Sequence, residues 1–444
     1  MTAPGGLLRL LGAAFGVAVA VGNTIGSGIL KAPGDIAALL PSPAMFLAVW
    51  ALGGAYAFLS ALSLAELGTL IPRAGGQYAF ARRALGDYAG FVVGFSDWLS
   101  TCGSTAASAL VIGEYLAVLV SGLEHAATAI AVAITVLFAL LQILGVRLSG
   151  RVQEITSLLK TLAFALLVAA CFALGGASPA ASAAQEAPAL AASFSAVALV
   201  LALQAVIFTY DGWTGVIYFS EEVKEPARDV PRALCLGVLL IASIYLLVNL
   251  ALLYVVPLRE LAGSTLAVGV AASRLFGAAG DPVIRWLTLI SMIAAIHAYH
   301  LMATRVLFGI ARDGLFFRRA VSVNRGGTPV PSLLISAAVA VAFILSGTFE
   351  QVVAVLSFFF VANYSVSFVS LFILRRREPH AERPFRVPLY PYLTGLTLAG
   401  SLAFLAGSVA GDPKRSLVAL LLLVLSGPVF LLMKRPAFSW RRGR

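Results

Sequence analysis

The chain has 444 residues, 60% hydrophobic and only 11% charged, with mean hydropathy +0.96. Those values exclude an ordinary soluble domain and leave room for about twelve membrane spans joined by short loops. The formal charge of +11 does not signal a nucleic-acid partner, because the basic residues gather in loops of one parity. Arg259, Arg274, Arg285, Lys414 and Arg415 fall on one side, and Lys31 and Lys160 lie within helices. The other 24 of the 31 fall on the opposite side. The positive-inside rule makes that side cytoplasmic and puts both termini there. Cys102, Cys171 and Cys235 lie in apolar segments without paired spacing, so neither a disulfide framework nor a metal site is expected. The N-terminal apolar run lacks a cleavage-site pattern, so no cleavable signal peptide is expected.

Helices are expected at roughly 9–40 (interrupted), 43–70, 87–119, 124–146, 152–175, 196–222 (interrupted), 231–256, 283–311, 330–347, 350–375, 388–410 and 414–433. In the first, Leu11 to Leu40 as one helix would measure about 45 Å, against a hydrocarbon core of about 30 Å. The run Gly22–Gly28, Gly-Asn-Thr-Ile-Gly-Ser-Gly, favours a break rather than a steep tilt. At a break inside the membrane, the N–H groups opening the outer half-helix suit an anion. The carbonyls ending the inner half suit a cation. A zwitterionic amino acid carries both charges on adjacent atoms; the alternative is a flexible glycine-rich helix that binds nothing.

The stretch 178–193, rich in Ala, Pro and Ser, reads as an external loop. The sixth segment repeats the pattern of the first: Ser195–Thr209 is apolar, Tyr210–Gly215 interrupts it, and an aspartate, Asp211, stands at the interruption. A mid-membrane aspartate costs about 2.5–3.5 kcal/mol unless it has partners. Interrupted helices five apart enter from opposite sides, which is the signature of an inverted repeat with substrate held between the breaks. Leu258–Gly277 is too short and mixed to span and reads as a helix on the outer surface. Arg375–Pro388 is a basic cytoplasmic linker.

The chain resembles the L-type amino acid transporter branch of the amino acid–polyamine–organocation superfamily. The residues that carry the resemblance run along nearly the whole chain: Gly22–Ile29; Phe208–Trp213 with Glu221–Arg232; Ala65–Gly68 with Pro72–Tyr78; Arg151–Glu154 with Lys160; Asn363-Tyr364; Glu382–Val387; Leu425–Pro428. The resemblance implies an all-α polytopic fold of the leucine-transporter type. Two inverted five-helix repeats (9–175 and 196–377), each opening with a broken helix, are followed by two C-terminal helices (388–434). It implies a secondary active carrier of amino acids working by alternating access, with no cofactor. The substrate carboxylate would meet Gly26, Ser27 and Gly28, and its ammonium the carbonyls near Thr24, Ile25, Phe208, Thr209, Asp211 and Gly212. Phe208 matches an outer gate. Lys160, with Asn363 as a further coupling or structural position, would brace the first break where sodium-coupled relatives of the fold hold sodium, giving sodium-independent exchange or proton coupling. The loop near Ser121–His125 lacks the cysteine that animal light chains use to join a glycoprotein, so no disulfide-linked heavy chain is expected and a bacterial inner membrane is the expected location.

Several residues carry two readings. Ser104 and Ser108 line the pocket or serve close helix packing, between Asp97 and Glu114 in the same helix. His297 and His300 share a helix face and are read as satisfied polar contacts rather than a relay or metal pair. Glu66 is read as structural or gate-related, Asp211 as an acceptor for unwound backbone rather than a selector of cations, and Glu221–Arg232 as inner-gate ion pairs or a solvated loop. The rival functions are a polyamine or organocation carrier, an amino acid sensor, a channel, and a membrane enzyme; no nucleophile–base–orienter set supports the last.

Overall fold

A computed structural model describes residues 7–26, 28–123, 125–175, 195–346, 349–411 and 413–433. The helices are α1 (Ala13–Thr24), α2 (Gly28–Leu39), α3 (Pro43–Leu70), α4 (Gln77–Leu85), α5 (Asp87–Leu119), α6 (Ala127–Ile143), α7 (Val146–Leu174) and α8 (Ala196–Tyr210). After a 3-10 segment, Trp213–Phe219, come α9 (Pro226–Val255), α10 (Ala267–Phe276), α11 (Gly280–Arg312), α12 (Val330–Ser346), α13 (Phe349–Arg377), α14 (Tyr392–Gly411) and α15 (Pro413–Met433). Among the described residues the sole extended pairing is a single bridge between Leu11 and Val223. Among the described residues, eight helices are long and apolar enough to cross a membrane; α1 with α2, and α8 with the 3-10 segment, pass the same test as pairs bent by 50° and 41°, giving up to ten spans. The apolar helices α6 and α12 have 17 residues each. The chain is therefore an all-α, multi-pass membrane protein.

The ends of the helices follow local chemistry. Ser42 caps α3 by accepting from Met45 N–H at 3.3 Å, with Pro43 in the first helical position. Ser195 caps α8 in the same way through Ala198. Three boundaries differ most from the sequence reading. The helix α4 was expected as connection, but it is bracketed by Gly76 and Gly86 at φ +56° and +95°, and its mix of apolar and basic residues hides a buried face. The start of α7 lies at Val146 rather than 152, because its first turns carry Arg147 and Arg151 on an exposed side. The start of α9 is Pro226 rather than 231, and Pro231 is accommodated in its second turn.

The two interrupted helices sit at the centre. Here α1 packs on the 3-10 segment and α2 on α8, so the first half of each helix lies against the second half of the other and the two run antiparallel. Around them stand α3, α7, α9 and α11. Small residues permit this density: a Cβ on Gly16 would collide with Ala233 and Val216, and one on Gly237 would come to 2.9 Å from Ala20. The one-turn helix Leu258–Leu261 and α10 lie against α2, joined by Gly263 N–H to Gly34 O at 3.0 Å. That matches the surface helix expected for 258–277. The last two helices, α14 and α15, are peripheral, with 22% and 25% of their apolar windows buried. The expected external loop, 178–193, lies outside the described residues, as does Ser27.

Candidate substrate site

At the first break α1 ends at Thr24 and Ile25 turns to φ −76°, ψ 91°. Four consecutive carbonyls are thereby released from helix geometry, and each meets a side chain. Lys160 Nζ donates to Gly22 O at 2.7 Å and to Ile25 O at 2.6 Å. Ser291 Oγ donates to Ile25 O at 2.6 Å. Tyr299 OH donates to Asn23 O at 3.3 Å, and Tyr245 OH lies 2.9 Å from Thr24 O. Beyond the break, the opening N–H groups of α2 have no intrahelical acceptor. A Cβ on Gly26 would find only Met292 Cε at 3.4 Å and Thr24 O at 3.9 Å, so space opens beside that residue.

The second break closes on the first. Asp211 is extended, at φ −60°, ψ 149°, and Gly212 takes φ +111°. Only glycine suits that position, because a Cβ there would stand 3.0 Å from Asn23 C and Thr24 N. Asn23 Nδ2 donates to Gly212 O at 3.2 Å, tying break to break. Tyr245 OH, already beside Thr24 O, is also 2.9 Å from Thr209 O. The Asp211 carboxylate accepts from Tyr364 OH, and Tyr364 stacks on Trp213 with ring centroids 5.4 Å apart. Two buried atoms at the junction, Asn23 Oδ1 and Thr24 Oγ1, lack partners among the described residues. Dipolar N–H groups, spare carbonyl capacity and unpaired polar atoms thus converge at one point inside the helix bundle.

The face carrying the N-terminus is sealed. Leu11 pairs its backbone with Glu222 O (3.0 Å) and Lys224 N–H (2.9 Å). Arg305 holds Glu222 through two hydrogen bonds of 2.8 and 2.9 Å, both side chains fully buried. Glu221 accepts from Arg312 and from Ala74 N–H, and Asp313 from Arg73, Arg82 and Tyr78. Burial, and after it the Asp313 charge, hold the Tyr78 hydroxyl well above its ordinary pKa, so it remains the donor. Within Glu221–Arg232, Glu222 is paired and fully buried and Glu221 paired and partly buried, whereas Glu225 and Arg228 form an exposed pair.

Sequence comparison places these breaks in a family. The profile of the family described as "Amino acid permease" matches residues 7–427. The chain belongs to the amino acid permease family. Relatives along its length include the serine/threonine exchanger SteT of Bacillus subtilis (strain 168), 29% identical over 98% of this chain and 99% of that protein. The b(0,+)-type amino acid transporter 1 of Mus musculus is 27% identical over 98% and 90%. The Asc-type amino acid transporter 1 of Mus musculus is 28% identical over 96% and 81%. The resemblance read from the motifs, and its transporter rather than enzyme character at the level of the family, are thus shown.

The permease brings Thr24, Ile25, Gly26, Gly28, Thr209, Asp211 and Gly212 together at the paired breaks. Ile25 O already accepts two donors, so its lone pairs serve Lys160 and Ser291 rather than a third donor. Phe208 is 36% exposed. Ser104 and Ser108 are buried in α5, Ser104 beside Tyr299. Asn363 stands apart from Lys160, accepting from Ser96 at 3.2 Å; Asp97 beside Ser96 accepts from Tyr218 at 3.1 Å, and Glu114 is exposed. His297 Nδ1 bonds Gln153 Oε1 at 2.9 Å, but Nε2 of both His297 and His300 is buried without a partner among the described residues, so the pair is not fully satisfied as expected. Tyr245 and Ser291 escaped the sequence reading because each stands among mostly apolar residues, while Tyr364 was read only as part of the Asn363-Tyr364 motif and Tyr299 only as a neighbour of His297 and His300. Gln153 and Ser157 were findable: they precede Lys160 by seven and three residues on one helix face, and both donate to Ala18 O.

Proposed function

We propose that the permease is a secondary carrier of small amino acids, working by alternating access without sodium. The observation that carries this reading is the junction itself, where two antiparallel broken helices meet through Asn23–Gly212 and share Tyr245. The substrate carboxylate binds the N–H groups of Gly26, Ser27 and Gly28. The ammonium meets the carbonyls with remaining capacity at Thr24, Phe208 and Thr209, with Asp211 held in place by Tyr364. Serine and threonine are the first substrates to test, given the name of the Bacillus subtilis relative. The carrier sits in the plasma membrane, a bacterial inner membrane, with both termini cytoplasmic and the two repeats 9–175 and 196–377 related by inversion. With the N-terminal face sealed, the site faces outward, and exposed Phe208 is poised to fold over bound substrate. Lys160 supplies the positive charge that holds Gly22 O and Ile25 O, which is the task of a bound sodium ion in sodium-coupled carriers.

Uptake into proteoliposomes with sodium replaced by choline tests the reading. Undiminished saturable uptake is expected, strongly reduced in Lys160→Ala and in Phe208→Ala. A strict sodium requirement would refute the coupling scheme, and wild-type rates in either variant would remove that residue from it. An imposed pH gradient separates the two drives: stimulation marks proton symport, and dependence on internal amino acid marks exchange.

A further inference from the structure

Where α13 ends and the linker returns to α14, a cavity of about 580 Å³ opens, lined by Phe372, Arg375, Arg376, Arg383, Arg386 and Tyr390 together with two prolines. Four of its lining residues are arginines and none is acidic. The carboxylate behind them is Glu66 of α3, fully buried. Glu66 binds Arg375 through two bonds of 2.7 and 2.6 Å, contacts Arg383 Nε at 3.2 Å, and accepts Val387 N–H at 2.8 Å. Arg383 spends its other donors on the carbonyls of Leu374, Glu378 and Ala381. Arg375 lies 4.2 Å from the Tyr390 ring centroid. These two arginines are therefore fixed parts of the wall.

Arg376 and Arg386 differ. Both are exposed at the mouth, and neither has a carboxylate within 4.0 Å among the described residues. The nearby Glu378 is committed to Arg83 at 2.6 Å. One carboxylate against four guanidiniums leaves three positive charges in excess around a concave site. Guanidinium forks match phosphate oxygens in geometry and charge. The neighbouring surface is apolar: Leu389 is 73% exposed and Tyr392 79%, and the outward face of α14 continues from them. A ligand with an anionic head and a hydrocarbon tail fits both features, the head in the arginine cavity and the tail along α14. The linker also belongs to the arginine-rich side of the protein, where the positive-inside rule places the anionic cytoplasmic leaflet.

We propose that this cavity binds the headgroup of an anionic phospholipid, with Arg376 and Arg386 as its phosphate ligands. This proposal does not depend on the transported substrate, and its test reads lipid binding alone. Full-length protein in neutral detergent is titrated with phosphatidylglycerol, phosphatidylcholine or inorganic phosphate, and followed by native mass spectrometry and thermal unfolding. Phosphatidylglycerol is expected to remain bound and to raise the unfolding temperature; phosphatidylcholine and inorganic phosphate at equal phosphate concentration are not. In Arg376→Gln/Arg386→Gln the apparent affinity should fall about tenfold, as expected for loss of charge-assisted hydrogen bonds. The control Arg318→Gln/Arg319→Gln, on another loop, should keep it. Single Arg386→Gln, a change confined to an exposed side chain, should give an intermediate loss. Equal affinity in wild type and both cavity variants would overturn the site. Equal protection by inorganic phosphate would overturn the lipid as ligand, and equal binding of phosphatidylcholine the role of headgroup charge.

Discussion

Gly22 and Gly26 stand four residues apart in one glycine-rich run, and the structure gives them different reasons to be glycine. A Cβ on Gly22 would strike the Gln153 amide and come within 2.8 Å of Ser157 Oγ. That amide also reaches Ala18 O and Ala294 O, joining α1, α7 and α11. A Cβ on Gly26 would make only ordinary contacts, with Met292 Cε at 3.4 Å and Thr24 O at 3.9 Å, in the place proposed for substrate. Gly22→Ala should therefore lower the unfolding temperature, while Gly26→Val leaves it nearly unchanged and removes substrate-induced stabilisation. Thermal unfolding with and without serine or threonine measures both effects. Retained stabilisation by substrate in Gly26→Val would contradict the carboxylate site. Lys160 is the other residue whose place follows from packing chemistry. A buried ammonium far from carboxylates needs strong acceptors, and carbonyls freed by a helix break are what a membrane interior offers.

At the scale of elements, the two broken helices were legible because glycine clusters and a mid-membrane aspartate are costly in lipid unless backbone irregularity is used. The ends of α3 and α5 were legible from the apolar runs, which gave 43–70 and 87–119. What the sequence hid is what crosses between elements. Tyr245 lies in the mostly apolar run of α9, and nothing local distinguishes it from a core aromatic. Its hydroxyl meets Thr24 O and Thr209 O only because α9 packs against both breaks. The 3-10 form of Trp213–Phe219 was likewise unreadable, since it answers to the seal and to Gly212 rather than to propensity. Tyr245→Phe should cost about 1–3 kcal/mol, because it removes the one hydrogen that the buried Thr24 and Thr209 carbonyls share. Chemical or thermal unfolding checks the value. A variant as stable as wild type would show that water or another donor already serves those carbonyls.

Among the described residues, ion pairs tie the elements together on the side of Leu11 and Glu222, and Phe208 is 36% exposed. The deepest of those pairs, Glu222–Arg305, is fully buried, and Arg305 also lies 5.2 Å from the Phe219 ring centroid. Removing one partner strands the other, at a cost of about 3–5 kcal/mol. Glu222→Gln should therefore destabilise the sealed form strongly, and Glu222→Gln/Arg305→Met should recover much of that loss in a double-mutant cycle of unfolding temperatures. Additive losses would show that the pair is not coupled. In the proposed cycle, substrate is held between the paired breaks and released by exchanging one closed face for the other. Counterflow in proteoliposomes measures this directly: vesicles loaded with unlabelled serine or threonine, placed in sodium-free choline medium with a trace of labelled amino acid. Wild-type protein should accumulate label transiently and saturably, and Gly26→Val, equally folded, should not. Absence of counterflow for every amino acid offered, or equal accumulation in Gly26→Val, would contradict the account.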